Sequence, residues 1–369
     1  MSTHATNRIS ILGAGAGGCA LAYHLIKTGY EVLLYQDKDH LIKAVESYDG
    51  FKSALHGKCK ITCFTTSIKQ AVQFSEVLIL VVPAYGQVNI FQAALPYLTP
   101  NHIFLSLPGN FAIFDYLKSI RESNVKIDFP VSHIAGTPIP CTFVESSIIP
   151  YACRRVQKNG IFIGAIKQFI SVGAYPKSKA ESTYERLDAI FESIDVRLEK
   201  TNLLATTFYN SNLILHPTIV MYNAGHIKCQ NKGFRFYKDG VSPLVCKIFE
   251  SLDKEMLLLG HSCGFHLESF ASYYRRYYGD KNPNNTLSAF FQNAHFLHFV
   301  KAPNDLNGRF ISEDLQFVLL PLIRYLANRN QVPTPLAESL IVSLQCMLGH
   351  NIHPLRELPE DEWAIVAAS

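Results

Sequence analysis

The first third of the chain alternates between apolar runs and amphipathic stretches. Residues 9–12 form an apolar run that is followed by a helical pattern over Cys19–Thr28 and by a second apolar run over Val32–Tyr35. The run Val77–Val82 is apolar throughout, which is typical of parallel strands that are covered on both faces, and a further strand is predicted over Ile103–Ser106. The pattern therefore predicts an α/β domain built on a mainly parallel sheet.

Near residue 201 the strand-like runs give way to helical periodicity. One further strand is predicted before this change, near Val131–Ala135, together with a helix over Ser178–Ser193. After it the predicted helices are Leu203–His226, Pro243–Gly260, Glu268–Tyr278, Glu313–Asn328 and Pro335–Leu348. We therefore predict an α/β domain over residues 1–200 and an all-α domain over residues 201–369.

The turn after the first apolar run carries the glycine pattern G-x-G-x-x-G, filled by Gly13, Gly15 and Gly18. The first glycine allows a tight turn, the second lets the backbone approach a pyrophosphate, and the third lets a helix pack on the strand. The pattern follows a strand and precedes a helix, so it predicts a Rossmann-type dinucleotide-binding domain. Ligands in such sheets lie beyond the carboxyl ends of the strands, so Pro83 and Ala84, which follow another strand, are predicted to face the cofactor.

The choice between NAD and NADP depends on the residues after the second strand. In NAD sites an acidic residue at this place binds the ribose hydroxyls. Here the strand ends in Tyr35, and Gln36, Asp37 and Lys38 follow. If Asp37 reaches the ribose, NAD is favoured, whereas Gln36 with Lys38 nearby would tolerate a 2′-phosphate. We expect NAD and leave NADP open.

Composition narrows the class of protein. Of 369 residues 48% are hydrophobic and 17% are charged, which suffices for a large core. The net charge of +4 is spread without a long basic run, so no nucleic-acid partner is expected. The nine cysteines include no C-x-x-C pair, which favours reduced thiols in the cytoplasm. No apolar run approaches the ~20 residues of a membrane span. Small-molecule partners are expected, and a homodimer is left open.

In the helical half few residues are candidates for catalysis or substrate binding. His216 lies among apolar residues and is followed by Pro217, which would free a backbone carbonyl of the helix. A histidine in such a setting is either a packed core residue or a general acid/base. The planar guanidinium group of Arg309 could bind a substrate carboxylate through two hydrogen bonds. Ser312 could alternatively cap a helix whose first turn is acidic, with Asp314 in that turn. The pairs His295–His298 and His350–His353 have a spacing that could ligate a metal but lack an obvious third ligand, so no metal is predicted.

Several separated segments resemble the opine dehydrogenase family, the octopine and nopaline dehydrogenase group. They are the glycine pattern and the segments Val82–Ala84, Leu107–Gly109, Val144–Ser146, Tyr151–Arg154, Asn212–Asn223, Tyr237–Pro243, Leu252–Glu255 and Arg309–Asp314. Each segment is weak by itself, but together they cover both predicted domains in order.

The resemblance implies a dinucleotide-binding domain and a helical catalytic domain, with the substrate held in the cleft between them. An amino acid and a 2-oxo acid would condense to an imine, and a reduced nicotinamide would deliver hydride to give a secondary amine dicarboxylate. His216 would be the general acid/base, with Asp314 on one ring nitrogen and the substrate on the other. Arg309 and Asn212 would bind the substrate.

Two other hypotheses remain open. One is a dehydrogenase of C–O bonds on a similar two-domain plan, of the 2-hydroxy-acid or 3-phosphoglycerol type. The other is a non-catalytic dinucleotide sensor. A requirement for both an amino acid and a 2-oxo acid would separate the opine hypothesis from the first of these, and turnover that depends on His216 would separate it from the second.

Overall fold

The computed structural model describes residues 7–38, 61, 63–156, 160–229, 233–280, 282, 285–303, 306 and 308–368. The chain forms two compact units, one of Met1–Thr206 with Asp361–Ser369 and one of Thr207–Glu360. The last helix thus groups with the first unit, whereas the sequence placed residues 201–369 together. Its Trp363 ring stacks on Phe114, with ring centroids 6.1 Å apart.

The first unit is built on strands joined by helices. In the described residues the strands are β1 Arg8–Leu12, β2 Glu31–Tyr35, β3 Phe64–Thr65, β4 Val77–Leu80, β5 Ile103–Ser106, β6 His133–Ile134, β7 Thr137–Pro138, β8 Thr142–Ser146, β9 Tyr151–Val156, β10 Gly160–Ile166, β11 Phe169–Tyr175 and β12 Arg197–Lys200. The helices are Ala16–Lys27, Ile68–Phe74, Ala84–Ala94, Ala112–Glu122, Ala180–Glu192 and Glu360–Ala367, with short 3₁₀ turns at Leu95–Tyr97 and Lys177–Lys179.

Eight of the strands form one sheet in the order β12-β11-β8-β5-β4-β1-β2-β3. The six strands β8, β5, β4, β1, β2 and β3 are adjacent in this order and parallel to one another. Strand β11 is antiparallel to β8. Six parallel strands in this order are the arrangement of a Rossmann sheet. Every residue of β4 and β5 is buried, as expected for strands covered on both faces. The predicted α/β class is confirmed.

The strand predicted near Val131–Ala135 is wrong in extent and in partner. Only His133–Ile134 is extended, and it pairs with Thr137–Pro138 as a small hairpin outside the main sheet. The hairpin turns at Ala135 and Gly136, whose φ angles are +46° and +77°. These left-handed conformations reverse the chain, so the strand that joins the sheet begins only at Thr142.

The second unit is helical, as the periodicity predicted. Its described helices are Ala205–Phe208 at the unit boundary, Asn212–Tyr222, Ala224–Lys228, Phe236–Gly240, Pro243–Ser262, Phe270–Tyr277, Leu287–Asn293, Arg309–Ser312 and Pro335–Leu348, with a 3₁₀ turn at His295–Leu297 and π-helical stretches at Asp314–Leu319 and Leu322–Ala327. None of the helices in the described part of the chain combines the length and the apolar character that a membrane crossing needs.

Two of the predicted long helices are interrupted. The helix predicted over Leu203–His226 breaks where Asn210 accepts a hydrogen bond from the backbone N–H of Asn212, at 3.1 Å, and again at Asn223. Asparagine side chains compete with the helical ladder in this way. The helix predicted over Glu313–Asn328 is instead wound largely as π-helix, a geometry that is frequent at functional sites.

Asp253 is a buried carboxyl group in the helix Pro243–Ser262, 7% exposed, and it accepts a 2.9 Å hydrogen bond from the Phe270 N–H. Burial raises its pKa to about 6. An unfolded aspartate titrates near ~3.9, so the folded state holds this proton more tightly, and the stability contributed by Asp253 falls as the pH rises from ~4 through 6.

We therefore expect Asp253→Asn to raise the midpoint of thermal unfolding at pH 7.5, because asparagine keeps the acceptor for Phe270 and carries no charge. The gain should shrink as the pH falls toward 4 and disappear near pH ~3, below the ~3.9 of the unfolded aspartate, where the native side chain is largely protonated in both states. Calorimetric scans over this pH range check the expectation. The exposed Asp128, replaced in the same way, is the control, and a difference that does not change with pH would contradict the prediction.

Candidate active site

The glycine turn lies between β1 and the helix Ala16–Lys27. Gly13 has a φ of +123°, and a Cβ atom there would lie 2.5 Å from the carbonyl oxygen of Val81. A Cβ on Gly18 would lie 1.9 Å from the carbonyl oxygen of Gly13. Only glycine fits at these two positions, because the turn, the helix and the neighbouring strand approach each other so closely.

Gly15 is different, since a Cβ there would meet nothing within 4 Å. The packing of the protein thus leaves open space over Gly15, directly before the first turn of the helix Ala16–Lys27. The backbone N–H groups of a first helical turn have no partner within the helix and favour an anion. The turn therefore fits the pyrophosphate of a dinucleotide.

The peptide group of Ala14, at the centre of this turn, is held on both sides. Gln36 accepts a 3.0 Å hydrogen bond from the Ala14 N–H and donates at 2.6 Å to Asp37 Oδ1. Arg155, from β9, donates to the Ala14 carbonyl. Of the two residues predicted to face the ribose, Gln36 thus lies against the turn, and the exposed Asp37 lies beyond it. The contact of Arg155 was not foreseen.

The loops after β4, which neighbours β1, and after β5, which neighbours β4, follow the carboxyl ends of these parallel strands, at the edge of the sheet where the glycine turn lies. Pro83 immediately precedes the helix that begins at Ala84, and Ala84 is buried. Gln87, in the first turn of that helix, donates a 2.6 Å hydrogen bond to the Pro108 carbonyl and so joins the two loops. Both loops lie where a Rossmann sheet binds its ligands.

The loop after β5 is strained and is held by a residue that the sequence did not single out. Asn110 and Phe111 have φ angles of +59° and +64°. Glu145 is 1% exposed and accepts hydrogen bonds from the N–H groups of Phe111, at 3.0 Å, and Ile113, at 2.8 Å. Backbone strain of this kind persists where surrounding contacts enforce it, and it clusters at ligand sites.

In the second unit the structure brings His216 and Asp314 together, although 98 positions separate them in the chain. Nδ1 of His216 lies 2.6 Å from Oδ2 of Asp314, and the two side chains are 8% and 6% exposed. Asp314 is the first residue of a π-helical stretch, which aims its carboxylate at the helix that bears His216. A buried carboxylate in this position fixes the tautomer and orientation of an imidazole.

The second ring nitrogen of His216 was expected to face the substrate, but it contacts Tyr237. Nε2 lies 2.8 Å from the hydroxyl of this buried tyrosine. Burial raises the pKa of Tyr237 well above 10, and the nearby Asp314 carboxylate raises it further while Arg309 lowers it. Tyr237 lies in a segment that carries the family resemblance, but nothing in the sequence pattern shows which side chain it meets.

Arg309 and Asn212 lie on the elements that carry the pair. Arg309 is exposed and forms an ion pair with the buried Glu313. Its charge acts on Tyr237, which places it in the electrostatic surroundings of His216. Asn212 begins the helix one turn before His216, and its described hydrogen bond is the one to Asn210.

Ser312 does not cap a helix as the alternative hypothesis required. It is the last residue of the short helix Arg309–Ser312, for which Gly308 is the preceding residue. The two acidic residues that follow bind Arg309 and His216 instead. Phe310 packs against the imidazole of His216, with the two ring centroids 4.1 Å apart.

A glycine turn at the end of β1 in a Rossmann sheet, and a buried histidine–carboxylate pair in a separate helical unit, are the features expected of a dinucleotide-dependent dehydrogenase. Residues 8–130 match the NAD-dependent glycerol-3-phosphate dehydrogenase N-terminus. Residues 199–348 match the alpha-helical domain of NAD/NADP octopine/nopaline dehydrogenase. The chain thus resembles the opine dehydrogenase family, and the comparisons support an NAD(P)-dependent oxidoreductase acting on CH–NH donors.

The resemblance extends over almost the whole chain. An opine dehydrogenase of Arthrobacter sp. (strain 1C) is 26% identical over 337 residues, which are 90% of this chain and 88% of the relative. The fold is similar to that of an octopine dehydrogenase in complex with NADH and agmatine, with a TM-score of 0.70 and 18% identity over 93% of this chain and 89% of that one. It is also similar to a yersinopine dehydrogenase with NADP+ bound, with a TM-score of 0.67 and 19% identity over 99% of each chain.

Proposed function

We propose that the protein is an NAD(P)-dependent opine dehydrogenase that condenses a 2-oxo acid with the amino group of an amino acid and reduces the product. The observation that carries the proposal is the buried His216–Asp314 pair, with the Arg309 cation in its electrostatic surroundings. The reaction needs a proton donor and an anchor for carboxylates, and these residue types supply both. The bound nicotinamide would supply the hydride.

In this proposal each residue has a distinct task. His216 gives and takes protons as the general acid/base, and Asp314 holds Nδ1 and stabilises the imidazolium when the ring is charged. Arg309 is exposed, so its guanidinium can exchange contact with Glu313 for a substrate carboxylate. Asn212 adds a substrate contact from the same helix as His216. The glycine turn, with Gln36, Pro83 and Ala84, holds the cofactor.

A pyruvate-like 2-oxo acid is the proposed acceptor. The solved octopine dehydrogenases include complexes of NADH with pyruvate and with L-arginine, which shows these ligands for those proteins. For this chain we propose only the class, a small 2-oxo acid and an amino acid. A screen of amino acids identifies the side chain of the amino donor.

NAD is proposed as the preferred cofactor. Gln36 takes the place next to the glycine turn, and Asp37 follows it with a carboxylate that would repel a 2′-phosphate. Arg155 on the Ala14 carbonyl is the opposing cation, and it would favour a phosphate if it turned toward one. The assay therefore uses both cofactors in parallel.

The test is a screen of amino acids against pyruvate and larger 2-oxo acids, with NADH and NADPH, that follows oxidation of the cofactor by absorbance. We expect oxidation only when both the amino acid and the 2-oxo acid are present, and a higher kcat/KM with NADH. Oxidation with the 2-oxo acid alone would point to a C–O dehydrogenase, a possibility raised by the glycerol-3-phosphate dehydrogenase match of the first unit. Cofactor binding without turnover of any pair would favour a dinucleotide sensor.

A further inference from the structure

Both ring nitrogens of His216 are engaged by side chains of the protein. Nδ1 is 2.6 Å from Asp314 Oδ2, and Nε2 is 2.8 Å from the Tyr237 hydroxyl. An ionised carboxylate only accepts hydrogen bonds, so Nδ1 carries the proton of the neutral ring and Nε2 is the acceptor. The tyrosine hydroxyl then donates to Nε2. The nitrogen that must exchange a proton with the substrate is therefore covered by a phenol.

Tyr237 keeps its own proton at neutral pH. Burial raises the pKa of its hydroxyl well above 10, with Tyr278 and Asp314 adding to the effect and Arg309 opposing it. A phenol in these surroundings does not work as a tyrosinate base. It can, however, donate one proton while it accepts another, because a hydroxyl oxygen has both functions.

The contact between Tyr237 and His216 belongs to the packed fold. The Tyr237 ring lies nearly parallel to that of Phe291, with an angle of 13° between the ring planes and 6.2 Å between the centroids. The side-chain amide of Asn223 donates to the carbonyl oxygens of Ile219, at 2.9 Å, and Gly240, at 3.0 Å. It thereby ties the helix that bears Tyr237 to the helix that bears His216. The hydroxyl is thus placed with the precision that proton transfer requires.

We propose that the Tyr237 hydroxyl carries the proton between His216 and the substrate. The inference rests on the proposed function, a reductive condensation that consumes one proton in each turnover and releases water. The geometry leaves two routes for this proton. Either Tyr237 moves off Nε2 so that the substrate meets the imidazole directly, or the proton passes through the hydroxyl.

In the second route the atoms balance without a charged tyrosine. The adduct of amine and 2-oxo acid loses its hydroxyl group, because the nitrogen lone pair forms the C=N bond while the C–O electron pair leaves with the oxygen. The hydroxyl proton of Tyr237 passes to that oxygen, which departs as water. At the same time the Nε2 proton of the His216 imidazolium passes to the Tyr237 oxygen. The ring becomes neutral, and Tyr237 is a phenol before and after the step.

The two routes give opposite expectations for Tyr237→Phe, which keeps the ring and removes only the hydroxyl. If the hydroxyl carries the proton, kcat falls by about 100-fold or more, the scale of lost acid–base catalysis. If the hydroxyl only covers Nε2, its removal makes this nitrogen accessible to the substrate, and kcat is unchanged or higher. NADH affinity is expected to stay within about twofold in either case, since the change lies in the catalytic unit.

The experiment measures kcat, NADH affinity by fluorescence and the unfolding midpoint for the wild type, Tyr237→Phe, His216→Ala and the double variant. We expect the double variant to be no slower than the slower single variant, because residues that act as one unit are not additive. Tyr222→Phe is the matched control. It removes the hydroxyl of a half-exposed tyrosine on the helix of His216, and kcat should be unchanged.

A second measurement uses the unmodified protein. In mixtures of H2O and D2O, two protons that move together give a curved dependence of kcat on deuterium content, whereas one proton gives a straight line. A straight line, a full kcat in Tyr237→Phe or losses that multiply in the double variant would each overturn the inference while the proposed function stands. If the wild type turns over no pair, the proposed function is overturned and the inference with it.

Discussion

Replacing His216 by Ala is expected to lower kcat by about 100-fold to 10,000-fold, because this removes the group that we propose supplies and receives protons. The affinity for NADH should not change, since His216 lies in the helical unit and the glycine turn lies in the other. Steady-state kinetics with the amino acid and 2-oxo acid found in the screen, together with fluorescence titration of NADH, check both parts. The imidazole is buried against Asp314, so a moderate loss of stability is also expected and is measured by the unfolding midpoint.

Two variants separate chemistry from folding in this prediction. His226→Ala removes an exposed histidine ten positions along the chain and should leave kcat unchanged. Asp314→Asn keeps the shape of the partner but removes the charge that stabilises the imidazolium, so it should lower kcat in the direction of His216→Ala. Turnover in His216→Ala at the wild-type rate would remove the imidazole from the mechanism and contradict the proposal.

The first unit could be predicted from the sequence because its signals are local. The glycine pattern occupies six consecutive positions, the buried strand β4 is a continuous apolar run, and β5 is apolar up to its last residue. Each of these features depends on neighbours within a few residues, so periodicity and spacing suffice to identify it. The predicted strand at Val131–Ala135 failed for the opposite reason. Whether a short extended segment joins the sheet depends on its tertiary partner, and the turn at Ala135 diverts it.

The contact between His216 and Asp314 could not be predicted from local pattern. His216 and Asp314 are on helical segments far apart in the chain, and only the family resemblance joined them. Local chemistry even suggested a different task for the acidic residues after Ser312, because carboxylates in a first helical turn are stabilising by themselves. Tyr237 was not identified at all. Its hydroxyl meets Nε2 through the packing of two helices that Asn223 ties together, and that contact is tertiary.

Substitutions at two glycines of the turn should have large and different effects, one on NADH affinity and the other on stability. Gly15→Ala is expected to fold like the wild type, because its Cβ meets no protein atom within 4 Å. The methyl group would instead occupy the space proposed for the pyrophosphate. We therefore expect NADH affinity to fall by about tenfold or more, a loss of at least ~1.4 kcal/mol of binding free energy.

Gly18→Ala should fail in folding, because its Cβ would lie 1.9 Å from the Gly13 carbonyl oxygen, which is backbone and cannot move aside alone. Overpacking of this kind costs about 1–3 kcal/mol of the free energy of unfolding. We expect a lower unfolding midpoint for Gly18→Ala and an unchanged one for Gly15→Ala, measured by calorimetry beside the NADH titrations. Gly225→Ala, where a Cβ also meets nothing within 4 Å, is the control and should change neither quantity. Full NADH affinity in Gly15→Ala would place the pyrophosphate elsewhere, because the open space over Gly15 is then not needed for binding.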